Sequence, residues 1–270
     1  MNTLENHMLK ALRDLKDNHH VIGVKAEFEA EGTRIEEALR LKEVVTKAGL
    51  ELTIKTGGCE AIKDMYDARA IGVANLVAPM VESAYALKKF LISVKNSFPE
   101  DERKDICFLI NIETIDGYNN FDRMLELPEI DELGGIVLGR VDMTGSLRLS
   151  REDINSEKIF EIAKDVFTKA KKKGLKCILG GGVAKEALPF IRNLRGLLDR
   201  YETRKVIFKC PEALDDKAEQ GILKAVGFEL LWLKNKRNFY GMIFNEDKHR
   251  INMLQSRYDG LIKEAGGFYE

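Results

Sequence analysis

Short apolar segments alternate with amphipathic helical segments along this 270-residue chain, and this alternation limits its fold more than any other feature. Each apolar segment has the length of a buried strand. The predicted strands are HVIGVKAEF (20–28), LELTIKTGG (50–58), ANLVAPM (74–80), ICFLINIE (106–113), GGIVLGRVD (134–142), KCILGGGV (176–183), KVIFKC (205–210) and, unless it is part of a long helix, FELLWLK (228–234). Seven or eight strand–helix units in one chain predict an α/β fold with a parallel sheet.

Closure of that sheet into a single (β/α)8 TIM barrel is the economical solution, because a closed barrel leaves no sheet edge. No linker rich in Gly, Pro or Ser divides the units, so we expect one domain over residues 1–270. It would comprise an N-terminal helix (2–18), a barrel (about 20–234) and a helical tail (about 236–266). A doubly wound open sheet is the alternative, but it usually carries a glycine-rich phosphate motif after strand one. Here strand one ends in KAEFEAEGT.

Composition excludes several classes of partner. The formal charge is -1, from 43 basic and 44 acidic residues, so no global field favours nucleic acid or an anionic membrane. No apolar run approaches the roughly 20 residues of a membrane span, and the N-terminus is too charged for a secretory signal. The four cysteines lack metal-type spacing and are interpreted as reduced packing residues of a cytoplasmic protein.

Polar residues follow the predicted strands at the barrel face where such folds place their chemistry. They are Lys25, Glu27 and Glu29, then Lys55 and Thr56, Asn111 and Glu113, Arg140 and Asp142, Gly180 to Gly182, and Lys209. Strand alternation puts Lys25 with Glu27, Asn111 with Glu113, and Arg140 with Asp142 on shared faces. Two carboxylates on adjacent strands repel unless a cation lies between them, and Mg²⁺ suits such a pair. An ion-pair network that serves only stability explains the same residues.

Three further features each allow two interpretations. The GGGV segment (180–183) is either an anion site or a tight turn that needs glycine. Each of Lys25, Lys55 and Lys209 could form a Schiff base with a keto substrate if its pKa were low. The tail mixes aromatic and basic residues, which can indicate nucleic-acid stacking. Packing of a C-terminal helix on the barrel or on a neighbouring subunit is the preferred interpretation.

Two segments resemble a known family. VAPMVESAYALKKF (77–90) and INIETIDGYNNFDRMLELPEIDELGGIVLGRVDMTGSL (110–147) are similar to the HpcH/HpaI aldolase and citrate lyase β-subunit family of phosphoenolpyruvate/pyruvate-binding barrels. The resemblance covers roughly residues 20–185. It implies that Glu113 and Asp142 hold Mg²⁺ or Mn²⁺, which binds pyruvate-type oxygens and stabilises an enolate. It also implies that backbone amides of the Gly139–Asp142 turn, including that of Val141, hold a substrate carboxylate.

The sequence departs from this family at three places. The family carries a D-G-E-H type run on an early strand, whereas this chain has Lys25-Ala26-Glu27-Phe28, so that Phe28 stands at the His position. Lys55 replaces the family's substrate-carboxylate Arg, and a Lys lacks the bidentate fork. The family has a complete strand and helix before the acidic strand, whereas this chain offers only one N-terminal helix there. A circularly shifted strand order, with FELLWLK as the displaced strand, would account for this difference.

The sequence therefore predicts a divalent-metal-dependent carbon–carbon lyase or aldolase, a homo-oligomer, acting on a small carboxylate or 2-keto acid, or an acidic sugar-derived substrate. Its expected residues are metal ligands Glu113 and Asp142, catalytic Glu27, Lys25 and Arg140, and substrate-binding Lys55, Gly139, Val141, Gly181 and Lys209. Arg140 with Lys55 would neutralise substrate anions. The alternatives are a citryl/malyl-CoA-type lyase or hydrolase, and a non-catalytic barrel that binds a ligand.

Overall fold

The computed structural model describes residues 1–266 and contains a closed barrel of eight strands that follow one another in chain order. The strands are β1 (Val21–Glu27), β2 (Glu51–Lys55), β3 (Asn75–Ala78), β4 (Cys107–Ile112), β5 (Gly135–Gly139), β6 (Lys176–Gly180), β7 (Arg200–Glu202) and β8 (Val206–Lys209). Neighbouring strands from β1 to β7 are parallel. The prediction of a TIM-type barrel is confirmed.

The eighth strand closes the barrel in the opposite direction to the other seven. β8 pairs antiparallel with both β7 and β1. Only residues 203–205 connect β7 to β8, where the Thr203 amide donates to the Val206 carbonyl at 3.0 Å. A parallel connection needs a crossover of a dozen or more residues, so this short connection requires an antiparallel hairpin. The strand predicted at 205–210 is therefore present, but it runs the other way.

The prediction of a strand at 228–234 is wrong, because the segment lies within α11 (Ala218–Glu264). Phe228 and Trp232 lie four residues apart on one face of this helix, and both are buried. The hypothesis of a circularly shifted order is wrong as well, since eight strands in chain order complete the barrel without this segment. The long-helix alternative is correct.

Ten helices precede α11 in the described part of the chain. They are α1 (Thr3–His19), α2 (Ile35–Lys47), α3 (Ile62–Ile71), α4 (Ala84–Ser97), α5 (Glu100–Arg103), α6 (Ile115–Asn119), α7 (Phe121–Leu125), α8 (Arg140–Ser146), α9 (Glu157–Lys172) and α10 (Leu188–Asn193). Short 3-10 turns lie at 130–132, 151–155, 185–187 and 212–214. Nowhere in residues 1–266 is a helix long and apolar enough to cross a membrane.

Strand alternation divides the buried side chains into two groups. One side of the strands packs against the helices and forms the large core, as with Leu76, Ile110 and Ile136. The other side faces the barrel interior, where Val77, Leu109, Val137 and Ile178 form a separate apolar cluster. Interior positions further along the same strands carry the polar residues of the candidate site.

Candidate active site

Interior strand positions place four predicted site residues at the carboxyl ends of β1, β2 and β4. Lys25 and Glu27 alternate on β1 with Val24 and Ala26, whose side chains belong to the outer core. Lys55 pairs with Glu27 in the register of β1 and β2. Glu113 comes directly after β4, two residues beyond Asn111. All of these polar side chains are buried, so the barrel mouth is a polar cluster enclosed by protein.

Glu113 is the most enclosed carboxylate of this cluster, with only 2% of its surface exposed. Its Oε1 accepts from the Met80 amide at 3.0 Å and its Oε2 from the Asn111 side-chain amide at 2.7 Å. Burial raises the pKa of Glu113 above its usual value, and repulsion from Asp142 adds to the rise. The Lys55 ammonium lies 3.8 Å from Oε1 and opposes this rise. Glu113 is thus a carboxylate whose negative charge is only partly compensated.

Lys25 lies between two carboxylates. Its Nζ is 2.5 Å from Glu202 Oε1 and 3.2 Å from Glu27 Oε1. Burial alone would lower the pKa of Lys25, but these two carboxylates outweigh it and raise that pKa. In turn, Lys25 and Lys55 lower the pKa of Glu27 against the opposite effect of burial. Lys25 therefore stays protonated and Glu27 ionised near neutral pH.

Lys55 is held protonated in the same way. Its Nζ lies 2.8 Å from Glu29 Oε2, and the attraction of Glu113 and Glu29 raises its pKa although burial opposes this. A third buried lysine, Lys205, is ion-paired with Glu31. A Schiff base requires a neutral amine, so these raised pKa values of Lys25 and Lys55 disfavour that mechanism.

Carboxylates outnumber ammonium groups in the ion pairs at the mouth. Five glutamates (27, 29, 31, 113 and 202) face three lysines (25, 55 and 205), and Arg204 adds a rim contact of 3.8 Å to Glu31. The exposed carboxylate of Asp142 increases this excess. A negative surplus in a desolvated cluster favours binding of a cation or protonation of one carboxylate.

The predicted pairing of Arg140 with Asp142 is wrong, because β5 ends at Gly139 and both residues belong to α8. On a helix, side chains two positions apart point in nearly opposite directions, unlike those on a strand. Arg140 is consequently fully buried, whereas Asp142 is exposed.

Arg140 holds a loop rather than facing the mouth. Its Nη2 donates to the Gly181 and Gly182 carbonyls at 2.8 and 3.3 Å, and its Nη1 donates to Asn155 Oδ1 at 2.6 Å. The guanidinium also lies 4.8 Å from the centre of the Phe190 ring. Burial lowers the pKa of Arg140 to about 10. The structure therefore does not support the expectation that Arg140 neutralises a substrate anion.

The glycine loop after β6 packs closely against the first amides of α8. Gly181 has a φ of 78°, and a Cβ at this position would lie 2.7 Å from the amide nitrogens of Arg140 and Val141. Gly139 has a similar role, because a Cβ there would lie 2.6 Å from Glu113 Oε2. Gly181 thus has a backbone conformation that favours glycine, and both glycines let the backbone approach the Val141 amide and Glu113 more closely than a side chain would permit.

Lys209 does not join the site. It is the last residue of the reversed strand β8, and its amide donates to the carbonyl of His20, which precedes β1. Lys209 therefore lies at the opposite end of the barrel, where its exposed side chain pairs with Glu212 at 2.8 Å. The sequence-based expectation assumed that this strand was parallel to the others.

Glu202, Lys205 and Glu31 were missed by sequence reasoning. Glu202 and Lys205 flank the hairpin connection, and Glu202 lies outside all of the predicted strands. A weak signal was present, since RYE and KVIF are short strand-like segments on either side of a polar turn. Because β8 is reversed, its first end reaches the mouth and brings Lys205 there.

The donor set fits a hard divalent cation that takes few protein ligands. Glu113 and Asp142 supply carboxylates, and Asn111 Oδ1 is a buried oxygen without a hydrogen-bond partner in the structure. No group of three or more His, Cys, Asp and Glu that could hold a metal occurs in residues 1–266. Mg²⁺ commonly uses only one or two carboxylates and completes its shell with water and substrate oxygens.

Comparison with known proteins identifies the family. A model of the HpcH/HpaI aldolase/citrate lyase family matches residues 24–186, which is more than half of the chain. The chain belongs to this family. Its members are aldolases and lyases, which supports a lyase or aldolase activity for the chain. The family match includes Glu27, Lys55, Glu113 and Asp142 but ends before β7, β8 and α11. No curated protein matches the sequence.

Solved structures share the fold, and two of those below carry the HpcH/HpaI name. The HpcH/HpaI aldolase from Desulfitobacterium hafniense aligns with a TM-score of 0.59 at 13% identity, over 86% of this chain and 90% of that one. A family protein from Burkholderia cenocepacia gives 0.57 at 14% identity over 81% and 90%. The citrate synthase SbnG gives 0.59 at 13% identity over 86% and 90%. At these identities the comparison establishes a common barrel.

Proposed function

We propose that this chain is a divalent-metal-dependent carbon–carbon lyase or aldolase whose substrate is a 2-keto acid that forms a pyruvate-type enolate. The observation that carries the proposal is the enclosed carboxylate of Glu113, whose pKa is raised by burial and by Asp142. A cation at this position would compensate the charge that Lys55 leaves partly uncompensated at 3.8 Å.

Glu113 and Asp142 would hold Mg²⁺ or Mn²⁺, and the bound ion would supply positive charge to stabilise an enolate. The buried Asn111 Oδ1 is a further oxygen on the same side of the barrel. These residues are of the hard oxygen type that both ions prefer, and their small number leaves room for substrate oxygens.

The chain's own residues would bind and orient the keto acid. Lys55, kept protonated by Glu29 and Glu113, is a point charge for the substrate carboxylate. The amide of Val141, in the first turn of α8 beside Gly181, would be a backbone donor for a carboxylate oxygen. Lys55 lies 3.8 Å from Glu113 Oε1, and Gly139, the residue before α8, packs against Glu113, so both donors support binding of a small anion at the mouth.

Proton transfer would fall to Glu27, which takes over from the family His whose position Phe28 occupies. Glu27 is ionised and buried beside Lys25, so it can accept a proton. Lys25 would then donate a hydrogen bond to Glu27 or to the substrate, because its raised pKa prevents it from acting as a neutral base. Phe28 also favours a second candidate function, a barrel that binds a keto acid without turning it over.

The test is exchange of the methyl protons of pyruvate with D₂O, followed by ¹H NMR in the presence of Mg²⁺ or Mn²⁺. This reaction reports enolate formation without knowledge of the aldehyde partner. We expect exchange by the wild type, and a loss of roughly 100-fold or more in Glu113→Gln and in Asp142→Asn. The matched control is Asp101→Asn, an exposed Asp in the first turn of α5, which should exchange like the wild type.

Two outcomes would count against parts of the proposal. Exchange that is equally fast in Glu113→Gln would remove Glu113 from the site. Saturable, metal-dependent binding of pyruvate by calorimetry, without any exchange, would favour the ligand-binding barrel.

A further inference from the structure

The last helix carries an apolar stripe that the barrel does not cover. Twelve positions from 223 to 261 in α11 follow one another at alternating spacings of three and four residues, and ten of them are apolar. These ten are Leu223, Val226, Leu230, Leu233, Tyr240, Phe244, Ile251, Leu254, Tyr258 and Leu261. Nine of the ten are more than half exposed, and Tyr240 is half-buried because its hydroxyl donates to Glu37. Alternating spacing sustained over five heptads is the pattern of a coiled coil.

Apart from Tyr240, the stripe residues are distinct from those that pack on the barrel. The barrel side of α11 is formed by residues such as Ile222, Ala225, Phe228 and Trp232, all of which are buried. Beyond Gly241 nearly every side chain of the helix is exposed. This part of the helix therefore gains little stability from packing, and exposure of Phe244 and Ile251 to water is unfavourable. The stripe, about 57 Å long, therefore needs a partner helix.

Two charged residues identify that partner. Arg237 and Asp247 are the only members of the stripe that are not apolar, and they lie at equal distances from residue 242. If a second copy of the helix lies antiparallel about residue 242, each Arg237 faces the other copy's Asp247. The same register pairs apolar with apolar in every remaining layer: 223 with 261, 226 with 258, 230 with 254, 233 with 251, and 240 with 244.

We propose that two copies of this chain dimerise through an antiparallel coiled coil of α11, with Arg237 of each copy opposite Asp247 of the other. A parallel, in-register pair would instead bring Arg237 against Arg237 and Asp247 against Asp247, so charge selects the antiparallel arrangement. Stripe residues such as Leu223 and Leu233 lie one position, about 100° around the helix, from the barrel-facing Ile222 and Trp232, so the partner helix would lie beside the barrel contact. The proposal does not depend on the chemistry at the barrel mouth.

Sedimentation equilibrium of the full chain tests the dimer. We expect a mass of twice the 30.6 kDa chain at micromolar concentration. Arg237→Asp or Asp247→Arg alone places like charges opposite one another twice per dimer, and each should raise the dimer Kd by roughly tenfold or more. Combining both substitutions restores opposite charges and should restore the wild-type Kd.

The matched controls are Lys263→Asp and Asp259→Arg, which make the same charge changes on α11 away from the stripe and should leave the Kd unchanged. Circular dichroism confirms that each variant keeps its helix content. A wild type that stays monomeric would overturn the proposal. So would single variants that dimerise normally, or a double variant no tighter than the single ones, since either result would show that residues 237 and 247 do not face each other.

Discussion

Replacement of Arg140 by Met separates a structural role from a catalytic one. The guanidinium is fully buried, and its partners are carbonyl and amide oxygens, two of them at 2.6 and 2.8 Å. Met fills much of the same volume but leaves the Gly181 carbonyl and the Asn155 oxygen without their donor. Hydrogen bonds to charged groups contribute about 1.5–3 kcal/mol each, and the two shortest are lost. We therefore expect Arg140→Met to lose about 3–6 kcal/mol of unfolding free energy.

Urea unfolding measures this loss, and a slope m equal to that of the wild type shows that the two-state transition is unchanged. The control is Arg192→Met, because the exposed Arg192 also donates to two backbone carbonyls, of Leu214 and Asp215. It should lose less than about 1 kcal/mol. If Arg140→Met were as stable as the control but no longer bound pyruvate, Arg140 would face the substrate and the account of the loop would be refuted.

Three further predictions concern the mouth. The pKa of Glu27 is lowered, so its contribution to stability is present above its unfolded-state pKa and is lost as pH falls through the folded-state pKa. Urea titrations from pH 7 to pH 3 should therefore show a smaller decrease of unfolding free energy in Glu27→Gln than in the wild type. The pKa of Glu113 is raised, so its contribution is lost as pH rises through the folded-state pKa. Without metal, the unfolding free energy of Glu113→Gln should therefore rise relative to that of the wild type between pH 4 and pH 8. A constant difference in unfolding free energy would refute the raised pKa of Glu113. Gly181→Ala, whose Cβ would lie 2.7 Å from the Val141 amide nitrogen, should lose about 1–3 kcal/mol of unfolding free energy and bind pyruvate more weakly. Gly196→Ala, at a φ of 93° with open space around its Cβ, should bind pyruvate normally. Equal pyruvate binding by the two variants would show that the Val141 amide does not bind the substrate.

Much of the barrel was predictable because its parallel strands are continuous apolar segments with a polar residue at the carboxyl end. β1 to β6 all lie within the predicted segments. The failures are concentrated after residue 184. There the chain forms the hairpin β7–β8, whose strands have only three and four residues. Such short strands carry little periodicity, and nothing in the local sequence specifies that the eighth strand runs backwards.

The same limit explains which site residues were found. Lys25, Glu27, Lys55 and Glu113 follow from strand alternation, which is a local property. Arg140 was misassigned because β5 ends at Gly139 and Arg140 is the first residue of α8. Strand alternation therefore no longer determines where its side chain points. Glu202 depends on a contact across 177 residues with Lys25, which no local pattern records.

Metal binding by Glu113 and Asp142 is tested most directly by a Mn²⁺ titration followed by electron paramagnetic resonance, in which the signal of free Mn²⁺ falls as the ion binds. We expect one Mn²⁺ per chain in the wild type and in Asp101→Asn. We expect binding to be lost in Glu113→Gln combined with Asp142→Asn. A wild type that leaves all Mn²⁺ free, with and without pyruvate, or a double variant that binds as well as the wild type, would contradict the claim that these two carboxylates hold a metal.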